Sequence, residues 1–338
     1  MLQDGFSVGD SALAGPFDTA SSQGGDAALE RDAGAAAGSA RRGGAAGWAG
    51  TGGASAQVTG GDVGDVCAWG PFGTPEKLTG LGFAAQSEQW APTLSADTLT
   101  LMLSSTSSGS SEDLYLATRP DRSAEFALAA PLAGLDTTSA DEGTPFLSFD
   151  ALSLYFYSSK TGGLGGRDIY VSKRANLFGS FDSSSPVGGA NSSSSDHMPW
   201  LPADELSLYF ASSRPGGAGG YDLWLGTRAD RGASFGSLRP LAELDTSSND
   251  QDASLTADEL SIFFTSGRPG GMGGSDIYMA ERASKTGSFS DPVIVPGINT
   301  VQDELNVAIT ADGRELFFSS DRGTGSNHVI WRASRSCQ

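Results

Sequence analysis

Residues 201–228 read LPADELSLYFASSRPGGAGGYDLWLGTR, and the same frame returns about every 54 residues from residue 72 to the end of the chain. Residues 149–174 (FDALSLYFYSSKTGGLGGRDIYVSKR) and 256–282 (TADELSIFFTSGRPGGMGGSDIYMAER) are two further copies. An aspartate keeps the register: Asp97, Asp150, Asp204, Asp258 and Asp312, at spacings of 53, 54, 54 and 54. A phenylalanine keeps it independently: Phe72, Phe126, Phe181, Phe235 and Phe289, at spacings of 54, 55, 54 and 54. Two residue types in one register over five copies define a repeat architecture, in which each unit buries its apolar faces against its neighbours.

Each unit reads as four short strands. The first carries an aliphatic residue three before the marker aspartate (Leu94, Leu147, Leu201, Leu255, Ile309), and a polar turn follows. The second is apolar on both faces (Leu154-Tyr155-Phe156, Phe263-Phe264), as a strand between two packed sheets must be. A glycine loop leads to the third strand, which pairs an aliphatic with an aromatic: Leu114-Tyr115, Ile169-Tyr170, Leu223-Trp224, Ile277-Tyr278 and Ile330-Trp331. The fourth strand begins near the marker phenylalanine. The fold class is therefore all-β, a single β-propeller of five four-stranded blades, with a six-bladed ring as the alternative. A further marker phenylalanine would fall beyond residue 338, while the segment at Phe72 has no earlier strands of its own. The N-terminal strand is thus expected to complete the last blade. Cys67 and Cys337, the two cysteines of the chain, flank that seam and are expected to form a structural disulfide, which implies an oxidising compartment.

Composition divides the chain in two. Residues 1–66 are built from Gly, Ala, Ser and Asp with no apolar period, so a disordered leader or tether is expected there, and the propeller over 67–338. The chain carries 40 acidic and 21 basic residues, net −19; eight acids and three arginines lie in 1–66, which leaves −14 on the repeats. Such a field repels phosphate backbones, so a nucleic-acid partner is excluded. No apolar stretch is long enough for a transmembrane helix, and the N-terminus carries no visible signal peptide. A monomer is expected.

The string at 201–228 and its copies resemble the TolB-type, WD40-like propeller repeat of bacterial envelope-associated proteins, over about residues 72–336. The resemblance implies the propeller fold and a periplasmic, outer-membrane-associated or extracellular location. It says little about function, because such propellers serve as scaffolds, as cell-wall-associated proteins and as partners of fused enzymes.

Strand alternation puts the fourth-to-first loops and the glycine loops on one rim. Eight residues before the marker that rim is acidic: Glu142, Asp196, Asp250 and Glu304, with Glu88 one residue off. Asp136, Asp141, Asp245, Asp252 and Asp303 add to it. Clustered carboxylates suit a cationic partner, or calcium as the one metal worth considering; otherwise no cofactor is expected. The competing account is that each acid caps backbone amides in its own loop. Glycines 162, 216 and 270 read as hairpin geometry, ordered by Asp168, Asp222 and Asp276. Symmetry breaks mark candidate ligand contacts on the first strand: Trp90 and His197 at one register and Trp200 at another, set against core filling. No nucleophile elbow, HExxH or cysteine-rich metal set is present, so no catalytic residue is assigned. The leading reading is a non-catalytic binding or scaffold propeller that recognises a protein or cell-wall component through its acidic rim. The alternative is a glycan-binding or glycoside-hydrolase-like propeller with a carboxylate pair and Trp200 in the channel.

Overall fold

The computed structural model describes residues 68–338, apart from 107–110, 128, 133, 136–139, 178 and 326. The leader expected over 1–66, Cys67 and Asp136 lie outside the described residues. Every regular element among the described residues is a strand. β1 (Glu76–Lys77) belongs to the last blade. Blade one holds β2 (Gln89–Leu94), β3 (Thr100–Ser105), β4 (Asp113–Thr118) and β5 (Ala130–Pro131). Blade two holds β6 (Glu142–Leu147), β7 (Ser153–Ser158), β8 (Asp168–Lys173) and β9 (Ser185–Pro186). Blade three holds β10 (Asp196–Trp200), β11 (Ser207–Ser212), β12 (Asp222–Thr227) and β13 (Gly236–Pro240). Blade four holds β14 (Asp250–Leu255), β15 (Ser261–Ser266), β16 (Asp276–Glu281) and β17 (Val293–Ile294). Blade five holds β18 (Glu304–Ile309), β19 (Glu315–Ser320) and β20 (Val329–Ser334), with β1 as its outer strand.

Each sheet is antiparallel and closed off by its neighbours, so the ring is a five-bladed propeller with only short outer edges. The seam closes as the sequence suggests. Glu76 pairs with Arg332 and Lys77 with Trp331, while Trp69 bridges Cys337 and the Gln338 amide donates to the Ala68 carbonyl. The two ends of the propeller therefore run antiparallel beside each other, although the Cys67–Cys337 pairing itself involves a residue outside the described set.

The second strands form the core. Tyr155, Phe156 and Tyr157 of β7 are all buried, as are Phe263 and Phe264 of β15 and Phe317 and Phe318 of β19. Each lies between two sheets, and burying one such ring contributes roughly 1.5–3 kcal/mol. The marker aspartates order the turn that follows the first strand: Asp97, Asp150, Asp204, Asp258 and Asp312 each accept the amide two residues on. The marker phenylalanines have a partner of their own. Arg119, Arg174, Arg228, Arg282 and Arg335 each lie over Phe126, Phe181, Phe235, Phe289 and Phe72 in turn, 4.4–4.7 Å from the ring centre. Each also donates from Nε to a carbonyl of the first turn: Thr98, Ala151, Glu205, Glu259 and Gly313. This arginine is a third repeat marker, and it ties the third strand to both the turn and the fourth-strand approach.

The inner strands carry one irregularity in common. Ala91, Thr144, Met198, Asp252 and Asn306 all have positive φ, between 46° and 64°, at a bulge where the pairing with the second strand slips. The bulge turns these five residues into the central channel.

Candidate binding site at the channel mouth

The fourth-to-first loops and the glycine loops share one face of the ring, called upper here. The carboxylates expected to form an acidic rim on it do not face solvent. Glu142, Asp196, Asp250 and Glu304 are each 0% exposed. Asp250 accepts from the Thr246 amide and hydroxyl, from Ser266 Oγ and from Arg268 Nη2 at 2.8 Å. Asp196 does the same with Ser192, Ser212 and Arg214, and Glu304 with Thr300, Ser320 and Arg322. Glu142 accepts from Ser158 Oγ, and Lys160 stands where blades three to five place arginine. Each arginine is in turn held over the aromatic rings of the second and third strands, as Arg268 is over Phe264 and Tyr278. These acids thus tie the loop into the head of blades two to five; an exposed acidic rim is corrected to a set of four internal clamps.

The neighbouring acids are similarly engaged. Asp141 accepts the Glu112 amide and Asp303 the Ser275 amide, each linking a glycine loop to the next blade. Asp252 sits on the bulge of β14 and accepts from the Asn306 amide and side chain; burial holds its carboxyl above the usual range. In blade one the register position of the clamp carboxylate is taken by Gln89, opposite Ser105, so Glu88 is not its equivalent. Glu88 instead lies 3.5 Å from His328 Nδ1, and His328 stacks on Trp90 with ring centres 4.1 Å apart. The glycine loops are ordered by Asp168, Asp222 and Asp276, which accept the amides of Leu164, Ala218, Met272 and the glycine after each. Among the described residues no three His, Cys, Asp or Glu side chains converge on a metal position, calcium included.

The symmetry-breaking residues of the inner strands separate. Trp200 is 5% exposed and packs among Phe146, Phe149 and Tyr209, so it fills the lower channel as core. His197 is 2% exposed and stands against Tyr157 and Tyr221. Burial, with Arg167 nearby, pushes its pKa down to about 3, so it is a neutral ring packed under the upper face. Trp200 also borders two smaller cavities inside the channel, of about 50 and 40 Å³, whereas Trp90 stands at its upper mouth. Trp90 lines a cavity of about 330 Å³ there, together with Glu112, Thr144, Tyr157, Arg167, Met198, Gln251, Leu305 and Asn306.

Three residues of this mouth escape a reading based on repeat registers of the inner strand alone. Glu112 and Arg167 occupy the position just before the third strand, where the other blades carry Tyr221, Ser275 and His328. Tyr157 belongs to the second strand, opposite Gly143. Their meeting depends on that glycine: a Cβ at Gly143 would lie 2.5 Å from Glu112 Oε1 and 2.6 Å from the Tyr157 ring. The space lets the Glu112 carboxyl cross from blade one and accept the hydroxyls of Ser104 and Tyr157. Burial raises its pKa, against the opposing pull of those hydroxyls and of Arg167. The Arg167 guanidinium lies over the Tyr157 ring, 4.6 Å from its centre. A scan for unlike residues at one register, extended to the loop before the third strand, is the signal that would have found these side chains.

No protein-family model matches the chain, and no curated protein matches it in sequence. Solved structures do match its fold. TolB from Acinetobacter baumannii is 15% identical with a TM-score of 0.45, over 74% of this chain and 55% of that one. The α-L-arabinofuranosidase from Lactobacillus brevis is 12% identical with a TM-score of 0.52, over 74% and 91%. The Podospora anserina α-L-arabinofuranosidase PaAbf62A, solved with cellotriose, is 12% identical with a TM-score of 0.51, over 80% and 97%. At these identities the likeness is one of fold. The chain spans about half the length of the TolB structure.

Proposed function

We propose that this propeller is a non-catalytic binding module of the bacterial cell envelope or exterior, and that it seats an end group of its ligand in the upper mouth of the channel. One observation carries the reading: the open concavity at the upper mouth is bordered by Trp90, Glu112 and Arg167, side chains that the other blades do not repeat. The repeated carboxylates and arginines of the upper face are spent on holding the repeat together. A cavity of about 330 Å³ is of the size that takes a single sugar or side chain.

Glycoside hydrolysis needs two carboxyl groups facing each other across the scissile bond, about 5–9 Å apart. Glu112 is the one carboxylate among the residues lining this cavity. That favours binding over cleavage. The channel lining supports the same direction: Trp200, the residue a channel-bound glycan would stack on, is 5% exposed and borders cavities of about 50 and 40 Å³, too small for a sugar ring.

The test is capture from an envelope extract on immobilised protein, with Trp90→Ala as the mouth variant and Arg231→Ala, on the opposite face, as control. Retention should fall at least tenfold for Trp90→Ala and stay unchanged for Arg231→Ala. Release of sugar from a panel of aryl glycosides, abolished by Glu112→Gln, would overturn the non-catalytic part of the proposal.

A further inference from the structure

The arginines of the upper face are nearly all occupied. Arg214, Arg268 and Arg322 are each committed to a buried carboxylate and a serine hydroxyl. Arg167 is different: among the described residues it makes no ion pair and donates no side-chain hydrogen bond. Its guanidinium is held by stacking on Tyr157 and lines the mouth cavity. A carboxylate stands close by, yet Glu112 is drawn away from it by the hydroxyls of Ser104 and Tyr157 over the space left by Gly143. The guanidinium thus lines a small concavity with its donors unpaired among the described residues, and a planar fork of this kind matches a carboxylate in two parallel bonds.

We propose that the mouth is a receptor for a carboxylate-bearing sugar, a uronic acid residue of an acidic glycan, with Arg167 as the anion anchor. This rests on the reading of the mouth as the ligand seat and names the ligand class for it. The remaining lining supports a sugar: Trp90 offers an indole surface, while Gln251, Thr144 and Asn306 supply groups that can exchange hydrogen bonds with hydroxyls. The charge of the domain argues for one anionic group rather than many. With −14 on residues 67–338, a phosphate polymer is repelled, whereas a single carboxylate on a neutral ring meets the one unpaired guanidinium of the mouth. Glu112, bonded to two hydroxyls and with its proton affinity raised by burial, opposes such a ligand less than a free carboxylate would.

The experiment titrates the full chain with oligosaccharides ending in glucuronate or galacturonate, with the matching neutral glucose- and galactose-ended sugars, and with acetylated tripeptides bearing a free C-terminus. Indole fluorescence and calorimetry report binding. A uronate-ended sugar should bind at least tenfold more tightly than its neutral counterpart. Arg167→Gln should erase that preference while leaving residual binding of the neutral sugar and the melting temperature unchanged, and Arg167→Lys should restore part of it. Equal affinity for charged and neutral sugars, or a preference that survives Arg167→Gln, overturns the proposal. Binding of the peptide carboxylate without the uronate overturns it in favour of a peptide terminus. If no saccharide binds while an envelope component is still captured in a Trp90-dependent way, the uronate inference falls and the mouth reading stands; if capture is independent of Trp90, both fall.

Discussion

Asp245 occupies a place that asparagine holds in two other blades. Asn191 and Asn299 each accept an amide and donate back to the carbonyl of the same residue, Ile169 and Ile277. Asp245 accepts the Leu223 amide at 2.9 Å but has no donor to return, and its Oδ2 is buried without a partner. Burial, reinforced by Asp222, Asp250 and Glu243, pushes its pKa up to about 7. A carboxyl raised in the folded state costs stability once it ionises: nothing is lost below pH 4, the penalty grows as pH rises, and it is complete above about 7. Asp245→Asn should therefore stabilise the protein by about 1–3 kcal/mol at pH 8 and by less at pH 4, measured by chemical denaturation at both. The clamp carboxylates predict the opposite sign. Asp250→Asn leaves Arg268 buried without its counter-charge, so a loss of about 3–5 kcal/mol is expected in the same measurement. A near-neutral result would mean that these acids are not what binds loop to blade.

The inner strands and the glycine loops are the elements that shape the upper face, and both work through unusual backbone. Five non-glycine residues at one register hold positive φ, which costs each roughly 1 kcal/mol or more relative to glycine. Ala91, at φ 48°, has no side-chain bond to lose. Ala91→Gly should thus leave the melting temperature unchanged or raise it by a few degrees, whereas glycine in a regular strand would lower it. The glycine loops are constrained from outside. A Cβ at Gly165, Gly219 or Gly273 would lie 1.7–2.0 Å from the carbonyl of Ser194, Ser248 or Gln302 in the next blade. Gly219→Ala should consequently cost roughly 1–3 kcal/mol, read from a thermal melt, because the loop must lift off its neighbour. The glycines serve blade-to-blade contact as well as the turn.

At the scale of the whole molecule, closure decides stability. β1 supplies the outer strand of blade five, and Phe72 packs there on Phe263 beneath Arg335. The approach of Trp69 to Cys337 and of Ala68 to Gln338 places the chain termini of the ring side by side. Made in an oxidising compartment, the protein is expected to carry a Cys67–Cys337 disulfide, and a non-reducing mass spectrum with two free thiols would count against it. Cross-linking a loop of this length contributes at most about 5 kcal/mol. Truncation to residue 80 should abolish cooperative unfolding by removing β1, while removal of residues 1–65 should shift the melting temperature by less than about 5 °C, since their composition offers no core.

Repeat period, strand order and ring closure were legible in the amino-acid sequence, with five blades as the leading count and six as the alternative, because each copy of the unit faces the same packing problem and solves it with the same residues. Asp204 and Phe235 could be recognised as markers without knowing what they touch. The candidate site was not legible in the same way. The acids that repeat most regularly, such as Asp196 and Asp250, are regular because they hold the fold, and a periodic pattern cannot tell a buried clamp from an exposed rim. The mouth joins Glu112 of blade one to Tyr157 and Arg167 of blade two across Gly143; Glu112 and Arg167 share a repeat position but not a residue type, and Tyr157 comes from a different strand. Their association is fixed by the packing of blade one against blade two and by the absence of one side chain. Local patterning determines what each blade does alike; where the blades differ, only the tertiary packing decides which unlike side chains meet.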